Sequence, residues 1–340
     1  MICYGALLLM FSACKDRGTV RTAFYSWKTV FQLNQREAEV LHTTADGRLY
    51  LHFFDIAWNT EENQALPNGV VTFKQPVAGL SVVPVIYITN QSLQKTDLRQ
   101  IDSLASKANR LLGRLAAENG IVYHNIQVDC DWSVSTRLKY FDFLRAFKRY
   151  SLKKLEATIR LHQIKYPERT GVPPVDKGLL MFYNMGKISP DLNARNSIYN
   201  REDAAAYLES LPNYRLSLDV ALPVFSWSIQ IRSGKVVQCY AKIALSDLSD
   251  QQNFETYKNG RQSVPAFKAL KSFYLKGIYV KQGDLFKFEG IGAGNLKEAA
   301  QQVSAFLAPL KNRNIIYYEI SSPGLLTLHE KDIKEISAYF

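Results

Sequence analysis

Short apolar runs alternate along the chain with stretches whose apolar residues recur every three or four positions, a pattern of strands separated by helices. Thr22 to Phe31, Arg48 to Trp58 and Val82 to Thr89 read as the first three strands, with the helix "QREAEVLH" after the first. Between the second and third, residues 59–80 carry Pro67, Asn68-Gly69 and Pro76 and read as loop and hairpin. "DLRQIDSLASKANRLLGRLAAENG" reads as a helix, with Thr96 placed to cap its start and Gly120 to end it. Asn125 to Trp132 follows as strand four, then a helix with Leu138, Phe141, Leu144 and Phe147 on its apolar face. "EATIRLHQI", Gly178 to Gly186 and "RLSLDVALPVF" read as strands five to seven, with the helix "DAAAYLESL" before the last. "NLKEAAQQVSAFLAPL", Asn314 to Ser321 and "KDIKEISAYF" complete the chain as helix, strand eight and helix.

Eight mostly apolar strands separated by helices predict an α/β protein with a parallel sheet. The count favours a closed (β/α)8 TIM barrel over an open doubly wound sheet. No glycine-rich phosphate loop follows a strand, which argues against a dinucleotide-binding fold. The alternation breaks from Ser226 to about Gly294, where Ser233-Gly234 and Gln282-Gly283-Asp284 read as turns between segments of period two. The expected organisation is one barrel over residues 20–340, with an α+β insertion at 226–294 between strands seven and eight.

The segment "MICYGALLLMFSAC" modifies this picture. Its apolar core is too short to span a bilayer and fits an export signal. "FSAC" resembles a bacterial lipobox, in which Cys14 would be lipidated and become the mature N-terminus. An ordinary buried N-terminal strand is the alternative. Lipidation would tether the protein to the bacterial outer membrane or cell envelope, on a side the sequence leaves open. Cysteine is sparse, with no CxxC and no Cys/His cluster, so no structural zinc site is expected, and no cofactor. A Cys130–Cys239 disulfide and a calcium or magnesium site among inward acids are both left open. The net charge of +11 is spread along the chain except for "RAFKRYSLKK", which reads as the outer face of a helix. That argues against a nucleic-acid partner and suits acidic polysaccharide or anionic lipid headgroups.

Candidate chemistry centres on "NIQVDCDWS", where a buried strand ends on Asp129 and Asp131. Residues two apart on a strand share a face, so both carboxylates point into the barrel if either does, and one pKa is expected to rise. In this fold chemistry lies at the C-terminal ends of the strands. Scanning those ends adds Asp55, Asp219 and Glu319 as acids, with His162, Tyr183 and Asn184 as hydrogen-bonding groups. Trp27, Trp58, Trp132 and Trp227 all fall near the same mouth, and indole rings pack well on the C–H faces of sugars.

"QVDCDWS" followed by the helix "RLKYFDFLRAFKR" resembles the fourth-strand motif DxxDxDxE of the family-eighteen chitinase-like glycoside hydrolases. Asp129 and Asp131 match its last two aspartates. "MFYN", Met181 to Asn184, resembles that family's sixth-strand Met-x-Tyr-Asp. The resemblance implies a (β/α)8 barrel that handles glycans, with hydrolysis assisted by the substrate's acetamido group and a glutamate as acid. The glutamate's position holds Ser133, and the sixth-strand aspartate is Asn184. Asp129, Asp131 and Tyr183 therefore carry over as positions and the hydrolytic mechanism does not. The chain is also similar to a group of Bacteroidetes lipoproteins sharing "QVDCDW", "TIRLHQIKYP", "MFYNMG" and "LDVALPVFSW", a likeness that brings no activity with it.

Two readings follow. The first is a membrane-anchored, glycan-directed barrel that binds or hydrolyses an oligosaccharide or polysaccharide. If it hydrolyses, Asp131 or Asp129 is the expected acid and Asp219 or Glu319 its partner. The second is a non-enzymatic envelope lipoprotein whose insertion serves as a scaffold for a protein partner.

Overall fold

The computed structural model describes residues 18–258, 260 and 264–340. Cys14 and the export-signal reading lie outside the described residues. Eight strands form one parallel sheet: β1 (Thr19–Ser26), β2 (Arg48–Asn59), β3 (Ser81–Ile88), β4 (Asn125–Cys130), β5 (Lys154–Arg160), β6 (Lys177–Met181), β7 (Leu218–Pro223) and β8 (Asn312–Tyr318). Each pairs with its successor, and β8 and β2 both pair with β1, so the sheet closes on itself. This is the (β/α)8 barrel that the alternation predicts.

The longer helices pack outside it: α1 (Gln35–Ala45), α2 (Ile101–Glu118), α3 (Arg137–Ser151), α4 (Arg201–Leu208), α5 (Ala293–Ser304) and α6 (Glu330–Ser337). Their buried faces explain their positions. In α3, Tyr140, Phe141, Phe143, Leu144, Ala146 and Phe147 turn inward, whereas Leu138 is 66% exposed and does not join them. The basic run beginning at Arg145 lies on the outer side, where Arg145, Lys148 and Arg149 pair with Asp142, Asp176 and Asp102. Thr96 does not cap α2: it ends the short helix Asn90–Lys95, and Asp97 caps a 3-10 turn that leads into α2. An Asp-initiated turn satisfies the first free N–H groups in the way a helix cap would.

Several strands end earlier than the sequence pattern suggests. β1 stops at Ser26, β4 at Cys130 and β5 at Arg160, and Leu161–Lys165 is already helical. Residues Gln64–Asn68 fold back antiparallel on β2 as a hairpin.

Between β7 and β8 an antiparallel sheet is built from Trp227–Arg232, Lys235–Tyr240, Phe254–Thr256, Ala266–Ala269 and Leu285–Glu289. Ile243, Leu248, Phe254, Phe267 and Phe286 give it a core of its own. Ser233-Gly234, with φ of 50° and 71°, makes its first hairpin turn. The second expected hairpin is not formed across Gln282-Gly283-Asp284. Ile278–Val280 pairs instead with Phe273–Leu275, and Leu285–Glu289 pairs with Trp227–Arg232.

A fully buried ion pair lies within this sheet, and its carboxylate reaches the loop that follows β6. Lys287 Nζ lies 2.9 Å from Glu289 Oε1, both side chains being inaccessible to solvent. Glu289 Oε2 also accepts from the Ser197 amide at 3.0 Å and from the Trp227 indole N–H at 3.1 Å. Buried charges of this kind are tolerated only when paired and hydrogen-bonded. Here they fix the angle of Trp227.

Candidate functional site

At the C-terminal end of the barrel lies a cleft of about 670 Å³. Aromatic rings form much of its wall, with Tyr318, at the end of β8, in the middle. Its ring centroid lies 5.4 Å from Tyr25, 5.8 Å from Trp27, 5.8 Å from Tyr183 and 5.9 Å from Phe225. Phe225 in turn meets Trp227 at 5.3 Å. Behind Trp27 stands His52, 5.0 Å away and buried, with its Nε2 2.8 Å from Asp55 Oδ1. One lip depends on Gly324: a Cβ there would lie 2.2 Å from the Val224 carbonyl oxygen, so only glycine allows the two loops to approach.

The polar side of the cleft comes from β4 and β5. Asp129 sits level with Tyr87 of β3 and accepts a hydrogen bond from the Thr158 hydroxyl. Asp131, beyond the end of β4, is paired with the Arg160 guanidinium through Arg160 Nε. Burial pushes the Asp129 pKa up to about 6, a rise that the Arg160 charge and the Thr158 hydrogen bond limit and the Asp131 charge reinforces. Gln163 holds the end of β5 in place: its Oε1 accepts from the Arg160 amide at 2.7 Å and its Nε2 donates to the Trp132 carbonyl at 3.4 Å. Tyr183 is 3% exposed, and its hydroxyl, although it belongs to the cleft wall, has no hydrogen-bond partner among the described residues.

Of the residues proposed from sequence, Trp27, Asp129, Asp131, Tyr183, Asn184, Trp227 and Glu319 come together in this cleft. Glu319 accepts from the Trp27 amide at 3.1 Å and from the Ser321 hydroxyl at 2.7 Å. Asp55 supports the wall from behind through His52 and does not line the cleft.

The other proposed residues lie elsewhere. Trp132 points out of the barrel, stacks on Tyr140 at 5.0 Å and donates its indole N–H to the Thr170 carbonyl at 2.9 Å. Carried past the end of β4 at Cys130, the alternation of side chains sends Trp132 to the side opposite Asp131. Ser133 is used at the start of α3, where its amide donates to Thr136 Oγ1 at 2.9 Å. His162 is exposed on the helical turn after β5. Trp58 stands apart under Lys95, whose Nζ is 5.4 Å from the ring centroid.

Asp219 lies at the opposite end of the barrel. As the second residue of β7 it is buried near the floor, 2.5 Å from Lys177 Nζ, and it accepts from both the amide and the side chain of Asn314 at 2.7 Å. It therefore cannot partner an acid in the cleft. Beside it, Glu156 accepts from Asn125 Nδ2 at 2.7 Å and from the Tyr50 hydroxyl at 3.1 Å. Burial, with repulsion from Asp219, pushes Glu156 up to about 7.

Cys130 and Cys239 are free thiols, and burial raises both pKa values, Cys239 to about 12. Among the described residues no cluster of three or more His, Cys, Asp and Glu side chains could hold a metal ion.

No protein-family model matches the chain, and no curated protein matches it by sequence. Solved structures do resemble it in fold. A chitinase from Chromobacterium violaceum is similar with a TM-score of 0.54 and 12% identity over 94% of this chain and 99% of that one. A variant of a GH18 chitinase from Cycas revoluta, in complex with (GlcNAc)4, gives 0.54 and 12% over 94% and 99%. A chitinase from Rhizomucor miehei gives 0.52 and 11% over 93% and 99%. The fold is thus that of a chitinase-like (β/α)8 barrel. At these identities the likeness extends to architecture alone.

The floor of the barrel yields a pH test. Folded Glu156 keeps its proton to about pH 7, whereas in the unfolded chain it ionises near the usual 4.5. Between those values the folded form binds more protons, so this group's contribution to stability declines as pH rises through the window. Glu156→Gln should therefore gain on the wild type by on the order of 2–3 kcal/mol between about pH 4.5 and about pH 8. Paired thermal melts at the two pH values measure this, and a difference independent of pH would contradict it.

Proposed function

We propose that this protein binds a glycan in the cleft at the mouth of its barrel, without the hydrolytic step of family-eighteen enzymes. The observation that carries this reading is the composition of the cleft wall. Two indoles and several other rings face a short polar row made of Asp129, the Asp131–Arg160 pair, Asn184 and the unpartnered Tyr183 hydroxyl. Sugars offer the matching surface, apolar C–H faces edged by hydroxyls, and sites for such ligands combine an apolar wall with a few oriented polar groups.

The same geometry speaks against hydrolysis by the chitinase route. That route requires a carboxylic acid beside the leaving oxygen, and the corresponding residue here is Ser133, whose hydrogen bonds go to the start of α3. Asp131 is held in an ion pair. Asp129 is largely buried, with one oxygen engaged by Thr158.

We further propose that the chain is a lipoprotein of the bacterial cell envelope, as its likeness to the Bacteroidetes group suggests. The support is "FSAC", with Cys14 preceding the first barrel strand at Thr19. Metabolic labelling with palmitate should mark the wild type and leave Cys14→Ser unlabelled. Label retained in that variant would remove the anchor.

For the glycan, an array followed by calorimetry, with (GlcNAc)4 as the first defined ligand, is the direct test. Trp27→Ala and Trp227→Ala should each weaken binding at least about tenfold, the range seen for buried aromatic anchors. Trp58→Ala, outside the cleft, should leave it unchanged, and no cleavage products should form. Failure of every glycan to bind would overturn the reading. Products that disappear in Asp129→Asn would make the protein a hydrolase instead.

A further inference from the structure

The end of the barrel opposite the cleft has a chemistry that glycan binding does not use. The two most exposed large apolar side chains among the described residues are both there, Leu152 at 87% and Val122 at 80%. They stand in the loops before β5 and β4, which are neighbours in the sheet, with Asn125 opposite Lys154. The two loops also touch, since Lys153 Nζ lies 5.5 Å from the Tyr123 ring centroid.

Leu152 is costly where it is. It ends α3 with φ 53°, in the left-handed region that favours glycine, and its side chain stands in water.

Around these two residues the charge is mostly positive. Arg21, Arg48 and Lys154 line a hollow of about 470 Å³ at this end. Lys153 adjoins it, and Arg215 and Lys311 stand exposed before β7 and β8. Lys177, Asp176 and Glu156 also line the hollow, and the pairs Lys148–Asp176 at 2.7 Å and Lys177–Asp219 at 2.5 Å involve none of the six basic side chains just named. The loops at this end also carry the exposed acids Asp46, Glu118 and Glu209, of which Glu118 lies 3.9 Å from Arg114.

The chain reaches the barrel at this same end. β1 starts at Thr19, and the five residue-to-residue steps from Cys14 to Thr19 span at most about 18 Å when extended. Among the described residues no helix is long and apolar enough to cross a membrane.

We infer that the N-terminal end of the barrel rests on an anionic phospholipid surface. Leu152 and Val122 enter the headgroup boundary, and the surrounding lysines and arginines lie against the lipid phosphates. Apolar tips among basic side chains are the pattern of interfacial binding, and each basic group near such a surface is worth about fivefold in affinity. The glycan cleft, at the other end, then faces away from the membrane. A tether at Cys14 reinforces this orientation, but the surface itself does not require one.

The test uses the chain from residue 14 with Cys14→Ser, so that no lipid is attached, sedimented with phosphatidylcholine vesicles with and without phosphatidylglycerol. Binding is expected only with phosphatidylglycerol. It should fall at least tenfold in the triple variant Lys153→Glu, Lys154→Glu, Lys311→Glu. Leu152→Gly should lower it several-fold while raising the melting temperature, because glycine relieves the left-handed cap, so loss of fold cannot explain the loss of binding. Absence of binding to the anionic vesicles, or equal binding by wild type and both variants, would overturn the inference. Because no glycan is present, either result is independent of the cleft.

Discussion

Two residues apart on a strand means the same side of the sheet, and in a closed barrel one side is the interior. β4 and the residue just past its end bring Asp129, which is buried, and Asp131, which is still exposed, to the same mouth, where two bare carboxylates would repel each other. β5 supplies what makes this tolerable: Thr158 donates to Asp129, and Arg160 pairs with Asp131. Gln163 then binds the end of β5 to the end of β4, so the charges and the backbone that carries them are fixed as one unit. The polar side of the cleft follows from this single arrangement.

The apolar side is organised independently, by Tyr318 and the rings around it and by the insertion that delivers Trp227. That indole is held by its hydrogen bond to Glu289, itself paired with the buried Lys287, as well as by its contact with Phe225 in the cleft. Such a wall suits flat apolar faces and the row opposite suits hydroxyls, as the proposed glycan would offer. The fold is that of a chitinase-like barrel, while Ser133 serves the start of a helix.

Much of this was legible in the sequence because strand periodicity is local. The closed barrel, the paired aspartates and the positions of Tyr183 and Trp227 all follow from counting along β-like runs. The sequence misleads where a strand's end has to be known to the residue. Trp132 reads as a mouth residue with the other tryptophans, although it follows Asp131 and turns to the opposite side, onto Tyr140. The run "RLSLDVALPVF" does not mark its own first paired residue; β7 begins only at Leu218, which makes Asp219 a floor residue and not one of the mouth. His162 reads as a strand-end residue because "EATIRLHQI" looks like one continuous strand, whereas the strand ends at Arg160 and Leu161–Lys165 is helical. His52 and Tyr318 could not be found by pattern: both look like ordinary core positions until the closed sheet brings β1, β2 and β8 side by side.

The most direct measurement is the titration of Asp129 in the native chain, followed through its side-chain carboxyl carbon by NMR. Held inside the barrel mouth as described, the group should titrate near pH 6, and its midpoint should move when a glycan fills the cleft and excludes water from it. A midpoint near 4, unmoved by any bound sugar, would mean that this carboxylate faces solvent and that the cleft is not the site.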